Sequence, residues 1–250
     1  MLHAVFIYMR LDQELVQRKL CESRTEAQEL IASGCVLVDG AISLKQVKQV
    51  TNENKIEVTK RREFVSRGGE KLKGALAHVY GNDEAIKRFC VNKKVLDVGS
   101  STGGFTDCLL SYNVSSVDAV DVGTAQLHTK IKQDSRVRSY ENTDIKTFSS
   151  EFLYDIIVAD LSFIPLEHVL ETIVKMGSVG SAFFLLIKPQ FEVGKGNTKK
   201  GIVKEEGLVT RILEKYKTLA SKFHLQNVEI FTSSIKGGDG NQEYFLYGVL

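Results

Sequence analysis

From Val95 onward, short apolar stretches alternate with stretches of helical period, and this alternation constrains the fold more than any other feature of the chain. Val95-Leu96-Asp97-Val98, Val117 to Val122, Val137 to Glu141, Asp155 to Asp160 and Ala182 to Ile187 read as strands. Strands separated by helices pair in parallel through crossovers, which gives a mostly parallel, doubly wound sheet covered on both faces. Leu208, Ile212, Tyr216, Leu219 and Phe223 form the apolar stripe of one covering helix, and another helix follows Pro165. The chain has 2 prolines, Pro165 and Pro189, each just past a strand's carboxyl end, where a loop leaves the sheet. Ligands of such sheets bind at that edge, so the residues there are the candidates for chemistry.

Upstream the pattern differs. Leu11, Leu15, Val16 and Leu20 recur with a helical period, and Ser23-Arg24-Thr25-Glu26 has the form of a capping box that starts a second helix. That helix buries Ala27, Leu30 and Ile31 and stops at Gly34, which suits the left-handed conformation that ends helices. Val36-Leu37-Val38 runs into the hairpin turn Asp39-Gly40, Ile42 starts the return, and Ile56-Glu57-Val58 alternates as a further strand. A unit of about 50 residues is too small for a large core and suits a compact binding module. Lys60-Arg61-Arg62 reads as a basic hinge. The expected division is a first domain over 1–59, a linker over 60–70 and a second domain over 71–250.

Composition excludes several classes. At 250 residues, 43% hydrophobic and 26% charged, the chain is neither disordered nor collagen-like. Its longest apolar run, Ala182 to Ile187, falls far below the roughly 18 residues of a membrane-spanning helix. Met1 to Tyr8 has neither the basic start nor the small-residue cleavage site of a signal peptide, so a cytoplasmic location is expected. Cys21, Cys35, Cys90 and Cys108 lie too far apart for a zinc site or a disulfide framework, and are expected to be reduced and mostly buried, with no metal bound. A net charge of +2 decides nothing about polyanions, so any nucleic-acid surface must be local.

The first strand of the alternation enters Asp97-Val98-Gly99-Ser100-Ser101-Thr102-Gly103-Gly104-Phe105. Glycines let a ligand approach the backbone, and the following helix presents its N-terminal amides. The spacing is not the Gly-x-Gly-x-x-Gly of dinucleotide enzymes. Asp121 ends the second strand about 20 residues on, where a carboxylate can accept from ribose hydroxyls, and Asp144 follows the third. Alone, the loop reads equally as a structural turn, and either aspartate as a turn or helix cap. Lys71, Asp160, Lys188 and Glu243 stand at strand or helix ends that fold toward the same edge. One lysine there is ordinarily a solvated end, but the four together point to chemistry. Val193 to Gly201 forms a glycine and lysine loop over that edge, expected to close on a polyanion with Lys195, Lys199 and Lys200 touching phosphates. A plain surface loop has the same composition.

These phrases resemble known families. Asp97 to Phe105 is similar to the Asp-x-Gly-x-x-x-Gly-Gly-Phe loop of S-adenosylmethionine-dependent methyltransferases. That resemblance implies that Asp97, Gly99, Ser101, Gly103, Gly104 and Phe105 meet the methionine end of the cofactor, with Asp121 at the ribose and Asp144 at the adenine amino group. Arg10-Leu11-Asp12, Ser23 to Ala27 and Val36 to Gly40 resemble the alpha-L RNA-binding module shared by small-subunit ribosomal protein four and many pseudouridine synthases. It implies phosphate contacts by Arg10, Arg18, Lys19, Arg24 and Lys45. Arg67, beside Lys71, is a further RNA candidate.

Val65 to Leu72, Ala159 to Phe163, Ile187 to Glu192 and Asn241 to Phe245 resemble the FtsJ-type RNA ribose methyltransferases. With the alpha-L module in front, essentially the whole chain resembles the TlyA family, which carries the historical label hemolysin and methylates ribosomal RNA. The resemblance implies a Rossmann-like methyltransferase fold with a mostly parallel seven-stranded sheet behind a small α+β RNA-binding domain. It implies 2′-O-methylation of cytidine, ribosomal RNA or ribosomal subunits as partners, and Lys71, Asp160, Lys188 and Glu243 as the catalytic set. Family members with extra terminal extensions also modify the small subunit. Glu243 stands near the end of this chain, so the large subunit is the expected target.

A ribose hydroxyl is a poor nucleophile, so its deprotonation must be assisted and its oxygen held in line with the donor. Lys188 could serve as a neutral base or as a charged stabiliser of the forming alkoxide. The base role needs a pKa lowered from ~10.4 to about 7, which burial beside a second cation, Lys71, would have to supply. Asp160 and Glu243 would orient the lysines. The residues alone leave the two roles open. A non-catalytic RNA-binding scaffold fits poorly with an intact loop and catalytic set. A membrane-active hemolysin would need a spanning helix, a strongly amphipathic helix or a barrel pattern, which the chain lacks. Oligomeric state leaves no mark in the sequence.

Overall fold

The computed structural model describes residues 8–32, 34–59, 63–194, 196–199 and 201–250, and divides after residue 62 into two units, each with its own apolar core. The first unit contains β1 (Met9–Arg10), α1 (Leu11–Gln17), α2 (Arg24–Ala32), β2 (Val36–Val38), β3 (Ala41–Ile42), β4 (Gln49–Val50) and β5 (Ile56–Val58). Helix α1 ends before Leu20 because Lys19 turns left-handed (φ 56°) and the Leu20 amide closes back on the Leu15 carbonyl at 2.9 Å. Ser23 caps α2 by accepting from Glu26 N at 3.2 Å. The Glu26 carboxylate takes Glu22 N at 2.8 Å, one residue before the cap that a full capping box would close. Gly34 (φ 73°) ends the helix. Asp39 (φ 53°) and Gly40 (φ 79°) are both left-handed, as the tight turn between β2 and β3 demands. The two helices bury Leu11, Leu15, Ala27, Leu30 and Ile31 against Val36, Val38, Val50 and Ile56.

The second unit runs α3 (Arg67–Tyr80), α4 (Asp83–Cys90), β6 (Lys94–Val98), α5 (Gly104–Ser111), β7 (Ser116–Val120), α6 (Thr129–Lys132), β8 (Val137–Tyr140), β9 (Tyr154–Ala159), α7 (Glu167–Lys175), β10 (Gly177–Ile187), α8 (Pro189–Glu192), α9 (Glu206–Lys222), β11 (Gln226–Thr232) and β12 (Tyr244–Val249). Its seven strands lie in the order β11-β12-β10-β9-β6-β7-β8, and β12 alone runs against the rest. Both faces of the central strands are buried, which explains why those strands read as continuous apolar runs, whereas the edge strands β8 and β11 are largely exposed or half-buried. Val95, Ile156, Phe184 and Phe245 face one core with Leu72, Leu76 and Leu109, and their chain neighbours Leu96, Ile157, Phe183 and Leu246 face the other with Leu170, Ile173 and Tyr216. Burial of each such side chain is worth about 1.5–3 kcal/mol.

Strand ends shift by one residue in β6, β8 and β9 from the sequence reading, and three boundaries differ more. β7 stops at Val120, because Asp121 turns its carboxylate onto loop amides. β10 starts at Gly177, five residues before the fully apolar run, across an irregularity in its pairing with β9. Residues 63–70, assigned above to a linker, belong to the second unit: Phe64 is buried in its core, Val65 N donates to Asp107 at 2.8 Å, and α3 already begins at Arg67. The four cysteines carry no disulfide; Cys21, Cys90 and Cys108 are buried, and Cys35 is half-buried.

Candidate active site

Strand β6 lies between β7 and β9, so successive crossovers leave it in opposite directions and a crevice opens between the carboxyl ends of β6 and β9. Gly99 (φ 77°) ends β6 there. A β-carbon at this position would stand 2.8 Å from the Asp160 carbonyl oxygen, so only glycine lets the two strand ends approach. Gly104, at the start of α5, lies against Ser66, Gly68 and Gly69; its β-carbon would stand 2.8 Å from Gly69 N. The N-termini of α3 and α5 therefore meet at one place. Gly103 is the left-handed N-cap of α5 and provides no side-chain cap.

A cavity of about 130 Å³ occupies this crevice. Gly99, Ser100, Ser101, Thr102, Gly104 and Phe105 line one side, Ser66 and Gly68 the mouth of α3, and Asp160, Ser162 and Lys188 the opposite wall. Asp97 is fully buried beneath. Its Oδ2 accepts from the Thr106 hydroxyl at 2.6 Å, and its Oδ1 is buried without a hydrogen-bond partner. Burial above all pushes this carboxyl up to about 7, with the Thr106 hydrogen bond opposing and the Asp160 charge adding to it.

Two lysine–carboxylate pairs stand at this edge. Lys188, at the N-cap of α8, is 2.5 Å from Asp160 Oδ1 and donates to Ser162 Oγ at 2.9 Å. The Asp160 contact is an ion pair off the angle of a directed hydrogen bond, whereas Ser162 accepts a directed one. Pro189 starts α8 and fixes the turn that leaves Lys188 at the end of β10. Lys71, one turn beyond Gly68 on α3, donates to Glu243 Oε2 at 2.5 Å. Both partners are buried, and a β-carbon on Gly237 would stand 2.5 Å from Glu243 Oε1, so a bare backbone backs the carboxylate. The lysines are thus each matched with a carboxylate rather than set against each other as two cations.

Of the residues singled out in the sequence, Asp97, Gly99, Ser101, Gly104, Phe105, Asp160 and Lys188 line the cavity. Asp121 stands behind the loop: Oδ2 accepts Ser101 N at 2.7 Å and Oδ1 accepts Gly123 N at 2.6 Å. Asp144 is exposed and accepts Lys146 N at 2.9 Å, a turn aspartate by geometry. Ser66, Gly68, Ser100, Thr102 and Ser162 also line the cavity and were not chosen from the sequence. Ser66, Gly68 and Ser162 sit inside the phrases that carry Lys71 and Asp160, so adjacency was the available signal.

Among the described residues the basic candidates divide into struts and exposed cations. Arg18 spends its guanidinium inside the first unit, on Glu14 Oε1 (2.7 Å), Asn54 O (2.8 Å) and Thr51 O (3.0 Å), so it is a strut of the fold. Arg10 and Arg24 both reach the buried Asp12, at 2.9 and 3.2 Å. Lys19, Lys45 and Lys199 are exposed. Arg67 donates to the Lys236 carbonyl. Lys195 and Lys200 lie outside the described residues.

A doubly wound sheet with a glycine loop at its switch point and a lysine–carboxylate pair across the crevice makes the large unit a methyltransferase domain, which follows a small α+β domain in the chain. The chain belongs to the FtsJ-like methyltransferase family, which matches residues 64–249, and residues 9–51 match the S4 domain. It is 38% identical to the 16S/23S rRNA (cytidine-2′-O)-methyltransferase TlyA of Mycobacterium tuberculosis, over 95% of this chain and 88% of the relative. It is 35% identical to the 23S rRNA (cytidine-2′-O)-methyltransferase TlyA of Campylobacter jejuni, over 96% of this chain and 98% of the relative. A solved structure from Streptococcus thermophilus that bears a hemolysin label superposes with a TM-score of 0.73 at 31% identity, covering 97% of this chain and 88% of that one. Among the described residues no helix is long and apolar enough to cross a membrane.

Proposed function

We propose that this enzyme methylates the ribose 2′-hydroxyl of a cytidine in ribosomal RNA, with S-adenosylmethionine as donor and the large subunit as its target. The observation that carries the reading is Lys188, held by Asp160 and Ser162 on the wall facing the glycine loop. Both named relatives act on 23S rRNA, which supports the large subunit.

The cavity lining suits the methionine end of the donor. The glycine floor leaves no room for side chains, and the orphan Asp97 Oδ1 suits the ammonium group of a methionine moiety. Asp97 and the amides at the start of α5 would hold that end; Asp121 would act on the donor through the loop whose amides it holds, and Asp144, outside the cavity lining, would meet the nucleoside end only at its rim. When bound, S-adenosylmethionine supplies a methyl group on a sulfonium, an electrophile that needs no further activation.

The protein's own task is to prepare the ribose oxygen. An ammonium has three donor directions. On Lys188, Ser162 takes one while Asp160 pairs with the charge, which leaves donor capacity to meet the 2′-oxygen and stabilise the negative charge that grows as its proton leaves to solvent. Asp160 balances the charge of Lys188 at the cavity wall, and Glu243 balances that of Lys71, which stands on α3 outside the cavity lining. Exposed lysines of the S4 domain, Lys19 and Lys45, would hold RNA through phosphates.

The test is methyl transfer from radiolabelled S-adenosylmethionine to separated large and small ribosomal subunits, with the product nucleoside identified. Wild type labels large-subunit RNA as 2′-O-methylcytidine, and Lys188→Ala loses at least about 10²-fold of that rate. No label on either subunit, with donor binding intact, overturns the reading.

A further inference from the structure

The segment that begins at Lys188 ends on a carboxylate with no task in the site described above. Glu192 stands one helical turn beyond Lys188, and its side chain is only 2% exposed. A charge so deeply buried persists where it is paired. Oε1 accepts Leu166 N at 2.9 Å, and Oε2 lies 3.4 Å from Lys215 Nζ on α9. The Tyr216 hydroxyl, which accepts from Glu167 N at 3.0 Å, faces the same carboxylate.

Leu166 closes the loop that leaves β9 at Asp160 and carries Ser162. The β9–α7 and β10–α8 connections are therefore joined twice: by Lys188 to Asp160 and Ser162, and by Glu192 to Leu166. Helix α8 has 4 residues, too few for stability of its own, so its place is set by what its ends hold. We propose that Glu192 is a positioning residue, whose grip on Leu166 and Lys215 fixes α8 and so holds Lys188 Nζ against Asp160 and Ser162. Its catalytic consequence rests on the reading of Lys188 as the residue that meets the ribose oxygen.

Two measurements on the full chain test this. In the first, an amine-reactive acylating reagent labels Lys188 slowly in wild type and on the order of tenfold faster in Glu192→Ala, because the freed segment opens locally. In the second, kcat for methyl transfer falls roughly 10²-fold in Glu192→Ala, as expected for misplacement of a reacting group. The donor Kd and the KM for RNA stay within about twofold. Glu192→Gln keeps an acceptor for Leu166 N and restores most of both signals. If Glu192→Ala does not fold, Lys215→Ala removes one partner from a half-exposed helix position and shows the same signature at smaller amplitude.

Unchanged labelling of Lys188 in a folded variant overturns the proposal. So does a parallel fall of kcat, affinity and Tm with Gln no better than Ala, which is the mark of a merely structural residue. Should wild type transfer no methyl group while Lys188 labelling still responds to Glu192, the functional reading fails and the positioning link stands.

Discussion

Asp12 in the small unit and Asp97 in the large one are both completely buried aspartates, yet they are treated oppositely. Asp12 receives Arg10 at 2.9 and 3.0 Å, Gln28 at 3.0 Å and Arg24 at 3.2 Å. Burial alone would raise its carboxyl, but the hydrogen bonds from Arg10, Gln28 and Arg24 overcome that and hold it well below the usual carboxylate range. Asp97 has one donor, Thr106, and burial wins, so its carboxyl sits near 7 with one oxygen unpartnered. The lesson is that a satisfied buried charge ties a fold together, whereas an unsatisfied one waits for a ligand. Asp12 links the two helices of an RNA-binding module, and Asp97 lies beneath the cavity of a methyltransferase.

The strongest way to break the comparison is to remove each carboxylate and ask what is lost. Asp12→Ala strips an acceptor from three side chains and should destabilise the small unit by about 2–3 kcal/mol. That would be read as faster hydrogen exchange at Ala27, Leu30 and Ile31 with donor affinity unchanged. Asp97→Asn should do the reverse. Donor affinity falls roughly tenfold or more by calorimetry, the usual loss for a hydrogen bond to a charged group, while stability at pH 8 holds or rises because a buried charge has gone. If Asp97→Asn instead unfolds the large unit and binds the donor normally, the two aspartates are the same kind of residue and the contrast fails.

The pH dependences should also run in opposite directions. Asp12, with its pKa depressed, contributes stability that is present above its unfolded value of roughly 3.9 and is lost as pH falls below it. Asp97, raised to about 7, contributes stability that is full below the unfolded value and is lost as pH rises through the folded one. The ionised form is the one that meets an ammonium. Donor affinity should therefore increase between about pH 6 and pH 8 in wild type and stay flat across that window in Asp97→Asn. A flat wild-type profile would mean that Asp97 is ionised throughout, or does not face the donor.

Much of this was legible in the chain. The central strand runs were visible because both of their faces are buried, and the Gly99 loop because a close approach admits no β-carbon there. Lys71, Asp160, Lys188 and Glu243 were singled out as ends of elements, with the carboxylates expected to orient the lysines; which carboxylate meets which lysine was not legible, since Lys71 and Glu243 are 172 residues apart. The same long-range closure hid Arg18, whose partners Thr51 and Asn54 lie 33 and 36 residues on, and Asp12, which binds Gln28 16 residues away. A helix-face arginine looks alike in sequence whether it faces phosphate or a carbonyl within its own domain. The linker failed for a related reason: Arg67 to Glu70 carries two glycines and charges, and only packing of Phe64 and α5 against it makes it the start of a helix.

The smallest expected effect separates struts from exposed cations within the small unit. Lys19 and Lys45 are exposed, so replacing either by Ala should leave Tm unchanged and weaken RNA binding, lowering the slope of log K against log salt by about 1 for each lost phosphate contact. Arg18→Ala should leave that slope alone and instead lower stability by roughly 1 kcal/mol, since two backbone carbonyls lose their donor. A salt slope that falls for Arg18→Ala and not for the lysines would place the RNA on the other side of this unit, and would make the Arg18 fork a contact that opens when RNA arrives.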